Sequence, residues 1–347
     1  MTKSKLLLPV LVLAALLALP AAAGATLAYV KGSFQGTIYA ADDNGNGPRE
    51  IGTGYDAHVS PDGNWVAYRR EVSKIPQELK LAPSSGGPGR TLKTGFPEVF
   101  DLAWSPDSTH IAAVVGPELG PRRLVLIDLA SGTQTFVARG FFGSFSFSPD
   151  SGEIAYSVSP SEGYPPRSDV FRFPVPIPGV VNVRAPEPVR LTKDHRSSDP
   201  LWGPEKIVFV KTVEGKRRRY GPKNELFLMN PQGKQVKRLT NTKVPPLLQG
   251  LFPTDWSADG TRLLAEFEGQ DTSYAVTVNP KTGAQRPVAE AGENGFVGTA
   301  LSADGKFVLG FTGGFDPSGG HKVATVPYGG GKLKVLVKNA LEPDWSR

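Results

Sequence analysis

The chain reads as an all-β protein, a seven-bladed β-propeller of four-stranded antiparallel blades, on three observations. A motif built on a tight Ser-Pro-Asp-Gly turn recurs along nearly the whole length. The recurrences stand 43 to 55 residues apart, the period of a propeller blade. The two ends of the chain supply complementary parts of one such unit.

Each copy is a short apolar or aromatic strand, the turn, and a β-branched strand. The copies run 56–69, 101–114, 144–157, 199–211, 253–267 and 298–311, with a truncated seventh at 342–346. The turn proline or its equivalent falls at 61, 106, 149, 204, 258, 303 and 347. Each period also holds two further strands. One resembles 124–129, 225–230 or 274–279, and the other 189–193 or 236–241, with Gly, Asn and Ser turns between them. Four short strands with turn chemistry at each joint make a blade, here lettered a to d outward from the axis. Near the start, 26–31, 37–42 and 48–53 read as strands b, c and d without an a. At the end, 342–346 reads as an a strand with nothing after it. Pairing the N-terminal strands b to d with the C-terminal strand a completes one blade, removes exposed edges and locks the ring.

The S-P-D-G turn after an aromatic residue, the I-A-Y or V-A-Y strand and the later R-L-T strand resemble the WD-repeat-like β-propeller repeats of the TolB type. The resemblance covers nearly all of the chain beyond residue 25 and departs only locally. Gly203-Pro-Glu205 replaces the turn in one copy, and Ala258 and Ala303 stand in place of proline in two. TolB resembles a six-bladed ring with an added N-terminal domain, whereas seven copies and no such domain are expected here. The resemblance therefore implies a fold and not TolB's own partners. Oligogalacturonide lyases, which also resemble this repeat type, gather several histidines around a metal, and that cluster has no counterpart in the pattern here.

Residues 1–25 are expected to be a signal peptide and 26–347 a single propeller domain. Lys3 and Lys5 precede an apolar run from Leu6 to Leu19, and small residues follow to Ala25. The run is short for a membrane span, which needs ~20 residues. Loss of the two lysines lowers the formal charge from +6 to +4. That modest balance bears on solubility, not on nucleic acid. The expected location is extracytoplasmic: secreted, periplasmic or bound to the cell wall. Cysteine is absent, so stability must come from the core alone, which a chain of this length can supply.

In a propeller the d–a and b–c connections share one face and the a–b and c–d turns the other. Ligands gather at the first face, around the channel mouth, on irregular loops carried by a rigid scaffold. Five positions before the turn marker stand Asp56, Asp101, Asp199 and Glu342, with Ser144, Pro253 and Gly298 in the other copies. These carboxylates either converge on the mouth to attract a cation or basic partner, or bind local backbone amides. Lys216, Arg217, Arg218 and Arg219 form a basic run beside Tyr220, suited to an anionic polymer or headgroup or simply to a solvated hairpin tip. Asp42-Asp-Asn44-Gly-Asn46-Gly47 matches the opening of a calcium loop, but Thr53 stands where the closing Glu belongs, so a hairpin turn is expected. The four histidines, His58, His110, His195 and His321, fall in four different copies without metal-ligand spacing. Trp104, Trp202, Trp256 and Trp345 share one register, which indicates packing between blades, and Trp65 is expected in the core. Leu247, Leu248, Leu251 and Phe252 would make an apolar patch near the mouth or tuck into it.

A G-x-S-x-G elbow and a cysteine nucleophile are both missing, and no residues remain for the hydrolase domain of prolyl oligopeptidase-type propellers. The expected function is therefore a non-enzymatic binding or scaffold propeller, a monomer without cofactor or metal. Its partner is expected to be an envelope protein or anionic envelope polymer, with room for peripheral membrane contact and no nucleic acid. The competing reading is a channel-face enzyme acting on polysaccharide, a lyase or hydrolase using paired carboxylates.

Overall fold

The computed structural model describes residues 25–32, 35–71, 77–163, 167–177, 186–214, 222–242, 248–269, 273–289, 295–313 and 320–346. The described residues are all-β. Strands pair antiparallel with their sequence neighbours in successive runs. Ala340–Trp345, Thr26–Lys31, Gly36–Asp42 and the first half of Arg49–Val59 form one run. The second half of Arg49–Val59 begins the next, followed by Trp65–Glu71, Gln77–Pro83 and Arg90–Leu92. Glu98–Trp104, His110–Gly116, Arg122–Asp128 and the first half of Gln134–Phe147 come next. The rest of that long strand leads Glu153–Ser159, Asp169–Pro174 and Val189–Arg190.

The chain goes on through Ser197–Trp202, Ile207–Val213, Lys223–Met229 and Lys237–Arg238. Leu248–Trp256, Leu263–Gly269, Ser273–Val278 and Gln285–Pro287 follow. Phe296–Leu301, Phe307–Thr312, Lys322–Pro327 and Lys334–Lys338 come last before the closing strand. Some runs fuse, so the strands partition into two seven-stranded sheets, one eight-stranded and one four-stranded. The eight-stranded sheet is joined by a single parallel bridge between Asn224 and Gly250, whereas fusion in the seven-stranded sheets has a local cause. Where an outer strand passes straight into the next inner strand, no loop separates them, and a glycine makes the corner. A Cβ on Gly54 would meet the Arg69 carbonyl oxygen at 2.3 Å, and one on Gly140 the Ser159 oxygen at 2.7 Å, so only glycine fits.

Strands such as His110–Gly116 are buried along their whole length, because each run is covered on both faces. One apolar cluster joins Ala28, Val30 and Ile38 to Val59, Val66 and Ala82 of the next run. A second joins Leu79 and Leu81 to Leu102 and Ile111. Further clusters continue this stepwise packing. The cycle closes where Ala300, Leu309 and Val323 pack on Leu27, Tyr29 and Trp345. Register pairing of Leu27 with Trp345 and of Lys31 with Ala340 ties the two ends of the described chain into one sheet. The Thr26 amide donates to Ser346 Oγ at 2.7 Å.

The recurring turns are internally tied and also linked to one another. In Ser60-Pro-Asp-Gly63 the serine hydroxyl donates to Asp62, and Asp62 accepts from the Asn64 amide. The Asp62 amide then donates to Ser108 Oγ of the next turn, and the Asp107 amide to Ser151 Oγ of the one after. Ser108 and Ser151 stand where other copies have glycine and hold φ of 61°. Their hydroxyls offset that strain with a bond between runs. The R-L-T strand has a partner as well. Buried Glu225 accepts from Arg238, Thr240 and the Thr242 amide, and buried Asp169 holds Arg190 and Thr192 in the same way.

Candidate binding site at the channel mouth

The inner strands of every run line one central cavity of about 650 Å³, from Asp56 and Glu342 at one end to Pro61, Pro106 and Pro149 at the other. Three positions before the turn marker, polar side chains reach to the next inner strand. Asp344 accepts from the Val59 amide at 2.8 Å, Asp255 from Leu301 at 2.7 Å and Ser146 from Trp202 at 2.8 Å. The tryptophans answer in the other direction. Trp104 Nε1 donates to the His58 carbonyl at 3.1 Å and Trp256 Nε1 to that of Leu201 at 3.3 Å. Two of the four tryptophans of this register thus bond to a neighbouring strand, while the Trp345 indole N–H is buried without a partner among the described residues.

At the mouth each inner strand carries a bulge, where one extra residue breaks the pairing. Asp56, Asp199 and Glu342 occupy it with φ of 52°, 47° and 49°, a left-handed conformation that Asp and Asn tolerate better than most residues. From it Glu342 reaches the strand of Asp56, and Asp199 reaches the strand of Ser144. Glu342 Oε2 accepts from the Asp56 amide at 2.9 Å. Asp56 Oδ1 lies 3.0 Å from His58 Nε2, and its Oδ2 lies 2.8 Å from Arg69 Nε. Arg69 thus meets Asp56 as an ion pair, and its own Nη1 donates to the Val99 and Phe100 carbonyls. Asp344 stands 4.0 Å from the other nitrogen of His58.

Burial and charge set the protonation of this group. Burial alone would raise the Asp56 carboxyl, but the charge and hydrogen bond of His58, with Arg69 behind, bring it down to about 2. Burial alone would lower His58, yet Asp56 first, then Asp344 and Asp101, bring it up to about 9. His58 is therefore an imidazolium at neutral pH. Asp101 is pushed up to about 6 by burial and by the Asp56 charge. Burial also raises Glu342.

The folded state thus favours neutral Asp101, a stabilisation present below the ordinary value of 3.8 and lost as pH rises through about 6. Asp101→Asn keeps an oxygen for the Leu102 amide, which Asp101 Oδ1 accepts at 2.8 Å. The variant is expected to unfold at a higher temperature than the parent near pH 8 and at nearly the same temperature near pH 4. Thermal scans at the two pH values check this.

Of the four carboxylates singled out in the sequence, three come together: Asp56, Asp101 and Glu342. Asp199 is elsewhere on the same face. Its Oδ1 accepts from the Ser144 amide at 2.9 Å, and its charge acts on Glu268. Asp101 binds its own neighbour's amide, while Asp199 and Glu342 bind amides of another strand. Glu266, pushed up to about 7 by burial and by Glu268, adds a second acidic region beside Asp199. The basic run Lys216, Arg217, Arg218 and Arg219 lies outside the described residues, as do residues 1–24 and Leu247.

Other expectations resolve individually. Asp42 Oδ1 accepts from the Asn44 and Asn46 amides at 3.0 and 2.7 Å, so the calcium-like segment is a hairpin turn. Trp65, expected in the core, is 36% exposed instead, because it starts its strand at the turn face and borders an open cleft. Leu251, read as part of a mouth patch or as tucked into the mouth, is fully buried in a core cluster, and Phe252 packs against it. Sequence reasoning missed Arg69, Asp255 and Asp344. The signal was present: Asp precedes Trp in Thr254-Asp-Trp256 and Pro343-Asp-Trp345, and one register comparison across the copies finds it.

No protein-family model matches the chain, and no curated protein matches it in sequence. Solved structures do match in shape. TolB from Acinetobacter baumannii superposes with a TM-score of 0.52 at 17% identity over 93% of this chain, which spans 66% of that protein's length. The β-propeller domain of the Trilobed protease from Pyrococcus furiosus, described as having an open velcro topology, gives 0.60 at 16% identity over 87% of this chain and 86% of that one. An oligogalacturonate lyase in complex with manganese gives 0.57 at 13% identity, covering 91% and 85%. Among the described residues no group of three or more His, Cys, Asp or Glu is placed to hold a metal ion. At these identities the likeness concerns architecture alone, and that architecture is the TolB-like β-propeller fold.

Proposed function

We propose that the chain is an exported binding or scaffold propeller that grips an envelope protein or envelope polymer at its channel mouth. In this reading residues 1–25 are a signal peptide, and 26–347 form one closed ring of seven four-stranded blades acting as a monomer outside the cytoplasm. The observation that carries it is the mouth itself. Asp56, His58 and Glu342 line one cavity and are tied to one another, with Arg69 paired to Asp56 and Asp101 close enough to feel its charge, so a charged surface is held in place before any partner arrives. Asp199 with Glu266 and Glu268 extends the acidic surface, and Lys216 to Arg219 would supply the opposite charge. The fold shared with TolB supports an envelope setting.

The test is chemical crosslinking and pull-down from envelope extract, with residues 26–347 beside a Lys216–Arg219→Ser variant and a D101N/D199N variant. A partner captured by the parent and lost by either variant supports the proposal. Equal capture by all three removes these residues from the function. A second reading, a channel-face lyase or hydrolase acting on polysaccharide, draws on Asp101 at about 6 beside Asp56 at about 2. Two carboxyls with separated protonation are what acid–base catalysis needs. Turnover of a polysaccharide that D101N abolishes while D101N still binds it would favour that reading.

A further inference from the structure

The opposite face of the ring holds a second cavity of about 690 Å³, set across the a–b and c–d turns. Two unusually exposed large apolar side chains face it: Trp65 at 36% and Ile177 at 71%. Single exposed apolar residues are ordinary, but two lining one cavity of ligand size are not. The Trp65 indole N–H has no protein partner among the described residues, although a tryptophan normally satisfies it when packed.

The charged groups in this cleft are already spent. Arg90 donates to the Leu129 carbonyl at 3.0 Å. Asp128 accepts from the Ser131 amide and hydroxyl at 2.7 and 2.8 Å. His110 Nε2 lies 3.7 Å from the other Asp128 oxygen. One positive and one negative side chain cancel, so nothing there selects an ion. Hydroxyl groups remain: Thr135 has no side-chain partner, Ser108 accepts one bond and keeps a proton to donate, and Thr133, whose proton goes to the Ser131 oxygen, keeps a lone pair to accept.

We propose that this cleft is a binding site for an uncharged oligosaccharide. The C–H face of a pyranose ring would stack on the Trp65 indole, removing apolar area from water on both sides. Leu129 and Ile177 would cover its edge. The sugar hydroxyls would pair with Thr135, Thr133 and the Trp65 N–H, in the mix of apolar wall and few polar groups that orients small ligands. The site is separate from the channel mouth, so its failure leaves the proposal for that face untouched.

Isothermal titration calorimetry with maltohexaose, cellohexaose and chitohexaose tests it. At least one is expected to bind, and Trp65→Ala is expected to weaken that binding about tenfold or more. Thr135→Val should weaken it less, and both variants should keep the parent's fold by far-ultraviolet circular dichroism, with Trp65→Ala unfolding at a lower temperature because part of its ring is buried. No binding of any of the three by the parent overturns the proposal, as does binding that Trp65→Ala leaves intact. Tighter binding of polygalacturonate than of the neutral sugars overturns the uncharged class. Uptake of an apolar dye that none of the sugars displaces shows a hydrophobic site and overturns it too.

Discussion

A chain ending at Asn339 is expected to lose cooperative folding altogether. The deletion removes Ala340–Trp345, the strand that pairs with Thr26–Lys31. It also removes Trp345 and Ala340 from the cluster between the last run and the first. Thr26–Lys31 is buried over residues 27 to 30, so the deletion bares an apolar strand edge, a template for aggregation. Near-ultraviolet circular dichroism with urea titration should show no sharp transition, and the protein should sediment as aggregate. A soluble product with the parent's transition would show that the closing strand does not hold the ring.

Glu225→Ala is the single substitution with the largest expected cost, about 3–5 kcal/mol, the range for breaking a buried charge network. Glu225 is fully buried and takes Lys223 Nζ at 2.6 Å, Arg238 at 3.1 Å, Thr240 Oγ1 at 2.5 Å and the Thr242 amide at 2.9 Å. Removing the carboxylate takes the one counter-charge from Lys223 and Arg238, which keep only neutral oxygen partners, and leaves the part-buried Thr242 amide unpaired. Glu225→Gln keeps the acceptor oxygen without the charge and should cost less. Burial opposes the charge, but Lys223, Thr240 and Thr242 outweigh it and hold the carboxyl below its ordinary 4.5. Its contribution is therefore present above about pH 4.5 and is lost as pH falls further. Urea denaturation of parent and variants at pH 7 and pH 4 should show the gap between them narrowing in acid.

Much of the architecture was legible because it is written in a repeat. The turn at Ser60-Pro-Asp-Gly63 and its copies marks the inner strands, and the unmatched halves at the two ends foretell the pairing of Leu27 with Trp345. Local patterns show what each strand is, but not which strands run on without a break. The fusion of outer and inner strands through Gly54 and Gly140 therefore needed the structure. The site was partly legible. The register of Asp56, Asp101 and Glu342 pointed to one face. The bulges that carry Asp56 and Glu342 arise from pairing between strands, and no periodicity records that. Arg69 lies on the neighbouring strand and reaches Asp56 only through that bulge, so a pattern confined to the inner strand could not include it. Trp65 misled for a related reason: an aromatic at a strand start reads as core, while its exposure is set by the cleft it borders.

The most direct test of the channel-mouth proposal is site-specific photo-crosslinking at one residue on each face. Leu119, 85% exposed on a b–c connection, reports the mouth face, and Ala258, exposed on an a–b turn, reports the opposite face. With the photoreactive residue at 119, irradiation in envelope extract is expected to yield a defined adduct that excess unlabelled chain competes away, and with the residue at 258 none. A defined, competed adduct from 258 alone would contradict the account and place the partner on the other side of the ring.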